Sequence, residues 1–213
     1  MAIRSAGGPG DRESLSIPEL AAFIGDRAHG FDATEWLPRG RRLTLPVLES
    51  IGDVPLDLAV HVGDRPAILV FYQGGWSRPC NDALAMFQRA MAELETHQVA
   101  VVAITPELPR HALESSRRNQ LSFAVAIDHS CLFAKSLGIA FKLPLELRRL
   151  VRDRGVRIKE WNGEGSYDLP MPTMILIDRE RRIRWTALGF ATSDLDPEAV
   201  IAALRKLNAV DAE

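Results

Sequence analysis

Apolar positions along this chain change rhythm repeatedly, and the changes divide it into elements. Ala67-Ile68-Leu69-Val70-Phe71-Tyr72 is an unbroken apolar run, the mark of a strand buried on both faces in a mostly parallel sheet. Beyond Gly74-Gly75, Leu84, Phe87, Met91 and Leu94 recur at three-and-four spacing, which predicts an amphipathic helix over roughly Cys80 to Thr96. The alternation continues with a strand over Val99–Ile104, a helix over His111–Asn119, a strand over Phe123–Ile127 and a short helix from Leu132 to Leu137, ended by Gly138. Strands and helices taking turns predict crossover units and an α/β fold, a sheet flanked by helices.

The flanks are read in the same way. Leu58–Val62 alternates and predicts an edge strand, followed by a turn at Gly63-Asp64. Arg148–Lys159 reads as one basic helix, with a loop over Trp161–Ser166. Met174–Ile177 and Ile183–Leu188 flank the polar turn Asp178–Arg182, which predicts a hairpin. Asp196-Pro197-Glu198 opens a last helix that buries Val200, Ile201, Leu204 and Leu207. At the other end, residues 1 to about 15 read as a tail, and Ser16 with Glu19 forms a capping box for a helix to about His29. Thr34–Pro55, rich in Pro and Gly, predicts irregular structure with at most one short strand. The division that results is an N-terminal extension, 1–56, and one main domain, 57–213.

Composition narrows the class without choosing a function. The 213 residues are 46% hydrophobic and 25% charged, as in an ordinary globular protein. With 26 Lys and Arg against 28 Asp and Glu, a formal charge of −2 gives no reason to expect nucleic acid or an anionic membrane as partner. Met1–Arg12 has neither the apolar run of a secretory signal nor that of a membrane anchor, so a cytoplasmic location is expected. Two cysteines fit a reducing compartment, and the five histidines show no zinc-ligand spacing with them. Neither a metal nor a cofactor is expected.

Candidate chemistry concentrates in Phe71-Tyr72-Gln73-Gly74-Gly75-Trp76-Ser77-Arg78-Pro79-Cys80-Asn81. A buried strand feeds a glycine turn, and the Cys80 thiol falls in the first turn of the next helix. Free backbone N–H groups and the helix dipole favour a thiolate there, with Arg78 adding to them, so a lowered thiol pKa is expected. Ser77, one turn earlier, offers its hydroxyl to that thiolate. The plainer alternative is a buried structural cysteine, as most free cysteines are, with Trp76 as packing. Leu169-Pro170-Met171-Pro172-Thr173 is by composition a stiff connection into an apolar strand.

The stretch through Cys80 resembles the motif of the peroxiredoxin-like (alkyl hydroperoxide reductase and thiol-specific antioxidant) family, in which Phe-Tyr-Arg-Gly-x-Trp-Cys-Pro-x-Cys-Asn is typical. Val102–Pro106, Leu121-Ser122-Phe123 with Asp128, the Leu169–Pro172 loop and Ile177-Asp178 extend the similarity over roughly residues 66 to 207. The resemblance implies a thioredoxin-like fold, a central mixed sheet flanked by helices. It also implies an antioxidant oxidoreductase that reduces a small-molecule hydroperoxide, Cys80 becoming a sulfenic acid that an external thiol or thioredoxin-type reductant recycles. Ser77 takes the Thr/Ser place of the Pro-x-x-x-Thr/Ser-x-x-Cys signature and could donate to peroxide. Gly75, Trp76, Arg78 and Pro172 take substrate-facing places, with Pro172 expected in a cis-proline loop facing Cys80. Family members often pair, so a homodimer is expected.

Three departures from the family pattern stand out. Gln73 replaces the signature Pro, Pro172 replaces the Arg that polarises peroxide, and Ser77 replaces the first Cys of the Cys-x-x-Cys of near relatives. Charge stabilisation in the transition state must then come from other groups or be poorer, and a local dithiol cycle lacks its second sulfur. Cys131, near a helix start, is the remaining candidate for a resolving thiol. Two further readings therefore stay open: a thioredoxin-like thiol–disulfide oxidoreductase, and a catalytically degenerate binding protein of the same fold.

Overall fold

The computed structural model describes residues 17–29, 37–163, 167–189 and 196–210. Ser16 and the end of the predicted loop after Trp161, residues 164–166, lie outside them.

Strand β3 (Ala67–Phe71) is buried at every position. It pairs in parallel with β4 (Ala100–Thr105) and antiparallel with β8 (Thr173–Ile177). Such a run stays apolar on both sides only because both faces of the sheet are covered. Ala67, Leu69 and Phe71 enter one core with Phe133, Trp161 and Ile175. Ile68 and Val70 enter the other with Cys80, Leu84, Phe87 and Leu204. β5 (Ala124–Ile127) extends the parallel centre beside β4, and β9 (Ile183–Leu188) closes one edge against β8. The other edge is β1 (Val47–Ser50) and β2 (Pro55–Asp57), which gives the order β2-β1-β5-β4-β3-β8-β9. β6 (Ala140–Lys142) and β7 (Asp168–Pro170) form a separate antiparallel pair.

Helices α3 (Arg78–Thr96), α4 (Pro109–Arg118) and α8 (Pro197–Val210) contribute to the core that holds Cys80. The opposite core receives α1 (Pro18–His29), α2 (Leu58–Val62), α5 (Leu132–Ser136), α6 (Leu145–Asp153) and α7 (Ile158–Asn162). Among the described residues no helix is long and apolar enough to cross a membrane.

Three segments differ from the pattern. Leu58–Val62 is a helix and not an edge strand: the Asp57 carboxylate accepts from the N–H of Ala59 (2.9 Å) and Val60 (3.1 Å) and caps it, and Gly63 at φ 60° ends it. The single basic helix is two, α6 and α7, separated at Gly155, whose φ of 91° breaks helical geometry. Residues 47–50 and 55–57, expected to be largely irregular, pair into the main sheet, so the sheet begins upstream of residue 57.

Candidate active site

The chain leaves β3 through Tyr72-Gln73-Gly74-Gly75-Trp76 and enters α3 at Arg78. The two glycines serve different needs. Gly74 has φ 143°, and a Cβ there would stand 2.6 Å from Trp76 Nε1 and 3.0 Å from Glu107 Cδ. Gly75 lies against α4 so closely that a Cβ would meet Ser115 Oγ at 1.6 Å. Polar contacts then pin the loop. Gly75 N–H donates to Glu107 Oε1 (2.8 Å), Asn81 Nδ2 donates to the carbonyls of Gly75 (2.6 Å) and Ser77 (2.9 Å), and Arg118 Nη2 donates to Gly75 O (3.1 Å).

Cys80 is the third residue of α3, behind Ser77 in the capping position and Pro79 in the first turn. The Ser77 hydroxyl makes no cap bond. Together with the backbone N–H groups of Gln73 and Gly74, it pulls the thiol pKa downward. The expected lowering of the thiol pKa is nevertheless overturned. Cys80 is 1% exposed among Leu84, Phe87 and other apolar side chains, and that burial pushes the thiol up, with the charge of Glu107 adding to the rise against the three donors.

The other sequence candidates scatter. Arg78 does not reach the thiol: its side chain is 67% exposed and 4.0 Å from Asp82 one helical turn on, because a helix-start position after Ser77 points it to solvent. Trp76 packs into the core on the far face of the sheet. The described peptide bonds are all trans, so the cis geometry expected at Pro172 is absent. That loop does abut the one before Cys80, through Gln73 Nε2 donating to Pro170 O (3.3 Å). Its carbonyls are occupied within the fold: Met171 O accepts from the Thr173 hydroxyl (2.8 Å) and Pro172 O from Gly189 N–H (3.1 Å). Cys131 lies in the core that holds Phe71, across the sheet from Cys80, so the structure does not bring the two sulfurs together. Its Sγ donates to Asp168 O (3.4 Å), and burial, then Asp128 and Asp168, push its thiol far up.

A polar group beside the thiol was missed by sequence reasoning. Glu107, just past β4, is fully buried. Burial raises its carboxyl to about 8, against the opposing pull of the Gly75 N–H, the Thr105 hydroxyl and Arg118. Thr105 Oγ1 donates to Glu107 Oε2 at 3.4 Å. Tyr72, the last apolar-looking residue of the strand run, places its hydroxyl by Thr105, Glu107 and Cys80, buried without a protein acceptor. Gln73 Oε1, Trp76 Nε1, Ser77 Oγ and Ser115 Oγ are likewise buried and unpartnered. Native interiors hold few such atoms, and among the described residues five of the seven lie in or against the connection from β3 to α3, the other two being the amide atoms of Asn162. The available signal was position: Thr105-Pro106-Glu107 sits at the carboxyl end of a central strand, where sites of α/β sheets collect.

Among the described residues no cluster of three or more His, Cys, Asp or Glu is placed to hold a metal ion.

The sequence matches the model of the AhpC/TSA family over residues 25–186. No curated protein matches it. The fold is similar to that of peroxidoxin BcpB from Mycobacterium tuberculosis, with a TM-score of 0.64 and 18% identity over 79% of this chain and 96% of that one. It is similar also to AhpC of Enterococcus faecalis, with a TM-score of 0.63 and 12% identity over 82% of this chain and 95% of that one. Peroxiredoxin Q of Xanthomonas campestris gives 0.60 and 13% over 77% and 96%. At these identities the likeness is one of fold.

Proposed function

Because the chain belongs to the AhpC/TSA family, as the match over residues 25–186 shows, we propose that it is a thiol peroxidase that reduces hydroperoxides through Cys80 alone. The observation that carries this reading is the place of Cys80 in the first turn of α3, directly behind Ser77 and the Gly74-Gly75 turn, where the Ser77 hydroxyl and the N–H groups of Gln73 and Gly74 favour its thiolate. Preorganised donors of this kind stabilise charge on sulfur and on the oxygens of a peroxide as the bond between them forms. The thiolate attacks the terminal peroxide oxygen, the O–O bond breaks, and Cys80 becomes a sulfenic acid while an alcohol or water leaves. An external thiol condenses with the sulfenic acid, releasing water, and a second thiol frees Cys80 as the external disulfide departs. Sγ is enclosed in the described conformation, so peroxide reaches it only through a local opening of the structure. A cytoplasmic location, a homodimer and a thioredoxin-type reductant complete the proposal.

Burial of Cys80 and the occupied carbonyls of the Pro172 loop favour a second reading, a binding protein that keeps the fold without turnover. One assay separates the two. With dithiothreitol as the external thiol, the wild-type chain should consume hydrogen peroxide above background, Cys80→Ser should abolish that consumption, and Cys131→Ser should retain it. Equal consumption by wild type and Cys80→Ser would leave the binding reading.

A further inference from the structure

The basic stretch Arg148–Lys159 lies on the far side of the sheet from Cys80, where Val151, Val156 and Ile158 pack into the core that holds Phe71. Between α6, α7 and Tyr167 is an open cavity of about 360 Å³, within the size range of small-molecule sites. Leu145, Val156, Ile158 and Tyr167 supply its apolar lining. Arg148, Arg149, Arg152, Arg157 and Lys159 bring five cations to it, against the single carboxylate of Glu160. The whole chain carries a formal charge of −2, so the positive excess is local.

Such a gathering works against the fold. Arg148 and Arg152 stand one helical turn apart on α6, a like-charge spacing that weakens a helix. Compensation from the protein is sparse. Glu160 Oε1 is taken by Arg157 Nη1 (2.9 Å), and Arg152 Nε is 3.4 Å from an exposed Asp153. Arg149 and Lys159 have no carboxylate within ion-pair distance among the described residues. Cations lining a concave surface focus their field into it and attract an anion.

One of the five is fixed in advance. Arg148 Nε donates to Leu143 O (2.6 Å), and Leu143 N–H donates to Tyr167 O (2.8 Å). The Arg148 guanidinium is thereby held over the Tyr167 ring, 4.2 Å from its centre, and Lys159 Nζ stands 5.4 Å from the same centre. A guanidinium fixed in this way is a flat, preorganised surface for stacking and a set of N–H donors for an oxyanion.

We propose that this cavity binds a small organic phosphate with a flat ring, a nucleoside monophosphate being the simplest of the class. The surplus of cations favours a dianionic head over a single carboxylate, and arginine forks match phosphate oxygens. Arg157 is engaged by Glu160, which leaves Arg149, Arg152 and Lys159 to face the phosphate. The apolar lining and the Arg148–Tyr167 stack receive the ring. The site is independent of the peroxidase reading, because its residues lie across the sheet from Cys80.

Titration calorimetry of the full chain with adenosine monophosphate, adenosine and inorganic phosphate tests the proposal, at about 0.15 M salt so that diffuse surface attraction is screened. Adenosine monophosphate should bind saturably at one site per chain. Adenosine and inorganic phosphate should each bind at least about tenfold more weakly, since each makes only part of the contacts. Arg149→Glu combined with Lys159→Glu should weaken the nucleotide at least about tenfold, with circular dichroism unchanged because both side chains are exposed. The milder pair Arg149→Gln and Lys159→Gln should weaken it in the same direction. Absence of saturable nucleotide binding, inorganic phosphate binding as tightly as the nucleotide, or full affinity in both double variants would each overturn the assignment.

Discussion

Glu107 is the residue at which burial, charge and proton affinity meet. Unfolded, its carboxyl ionises near 4.5; folded, it holds its proton to about 8. Between those values the folded chain binds a proton that the unfolded chain has released, so this group's contribution to stability falls as pH rises through the window and levels off above it. Glu107→Gln removes that dependence while retaining an acceptor for the Gly75 N–H. The stability of the variant relative to wild type, from urea unfolding at a series of pH values, should therefore grow from pH 4.5 to about 8 and then stay constant. A difference that does not change with pH would mean that the carboxyl is solvated. Arg78 with Asp82 illustrates the opposite extreme, an exposed pair that contributes little to stability.

Among the elements, the β3-to-α3 connection decides where the thiol stands. Its position depends on the backbone of Gly75 being wedged between Glu107, Asn81 and Ser115. Gly75→Ala should therefore destabilise the fold by about 1–3 kcal/mol, the range for overpacking, and raise Cys80 alkylation by loosening the loop. Unfolding and thiol-labelling measurements check it; an unchanged midpoint would show that α4 yields freely. The elements around this connection were legible in the sequence, because a fully buried strand and a helix bearing Leu84, Phe87 and Leu94 on one face have unmistakable periods. Leu58–Val62 was not: five residues with Leu58 and Val62 buried satisfy an alternating and a helical pattern alike, and the Asp57 cap decides between them. The Cys80 position was legible from the glycine turn, whereas the state of its thiol was not, since burial depends on α8 and β8, more than ninety residues away. Glu107 was hidden for the same reason, as nothing local marks an acidic residue after a strand as buried.

The whole molecule is a sheet with two separate cores, and that division assigns the cysteines to different lives. β3 sends Val70 toward Cys80 and Phe71 toward Cys131, so one thiol lies on the face that holds α3 while the other is buried on the opposite face at the N-terminus of α5. On the proposed reading one sulfur reacts with peroxide and the second comes from an external thiol. The most direct test is to treat the full chain with hydrogen peroxide in the presence of dimedone, which traps sulfenic acid, and to map the adduct by peptide mass spectrometry. The account predicts dimedone on Cys80 with Cys131 still a free thiol. An unmodified Cys80 at excess peroxide, or an adduct confined to Cys131, would contradict it.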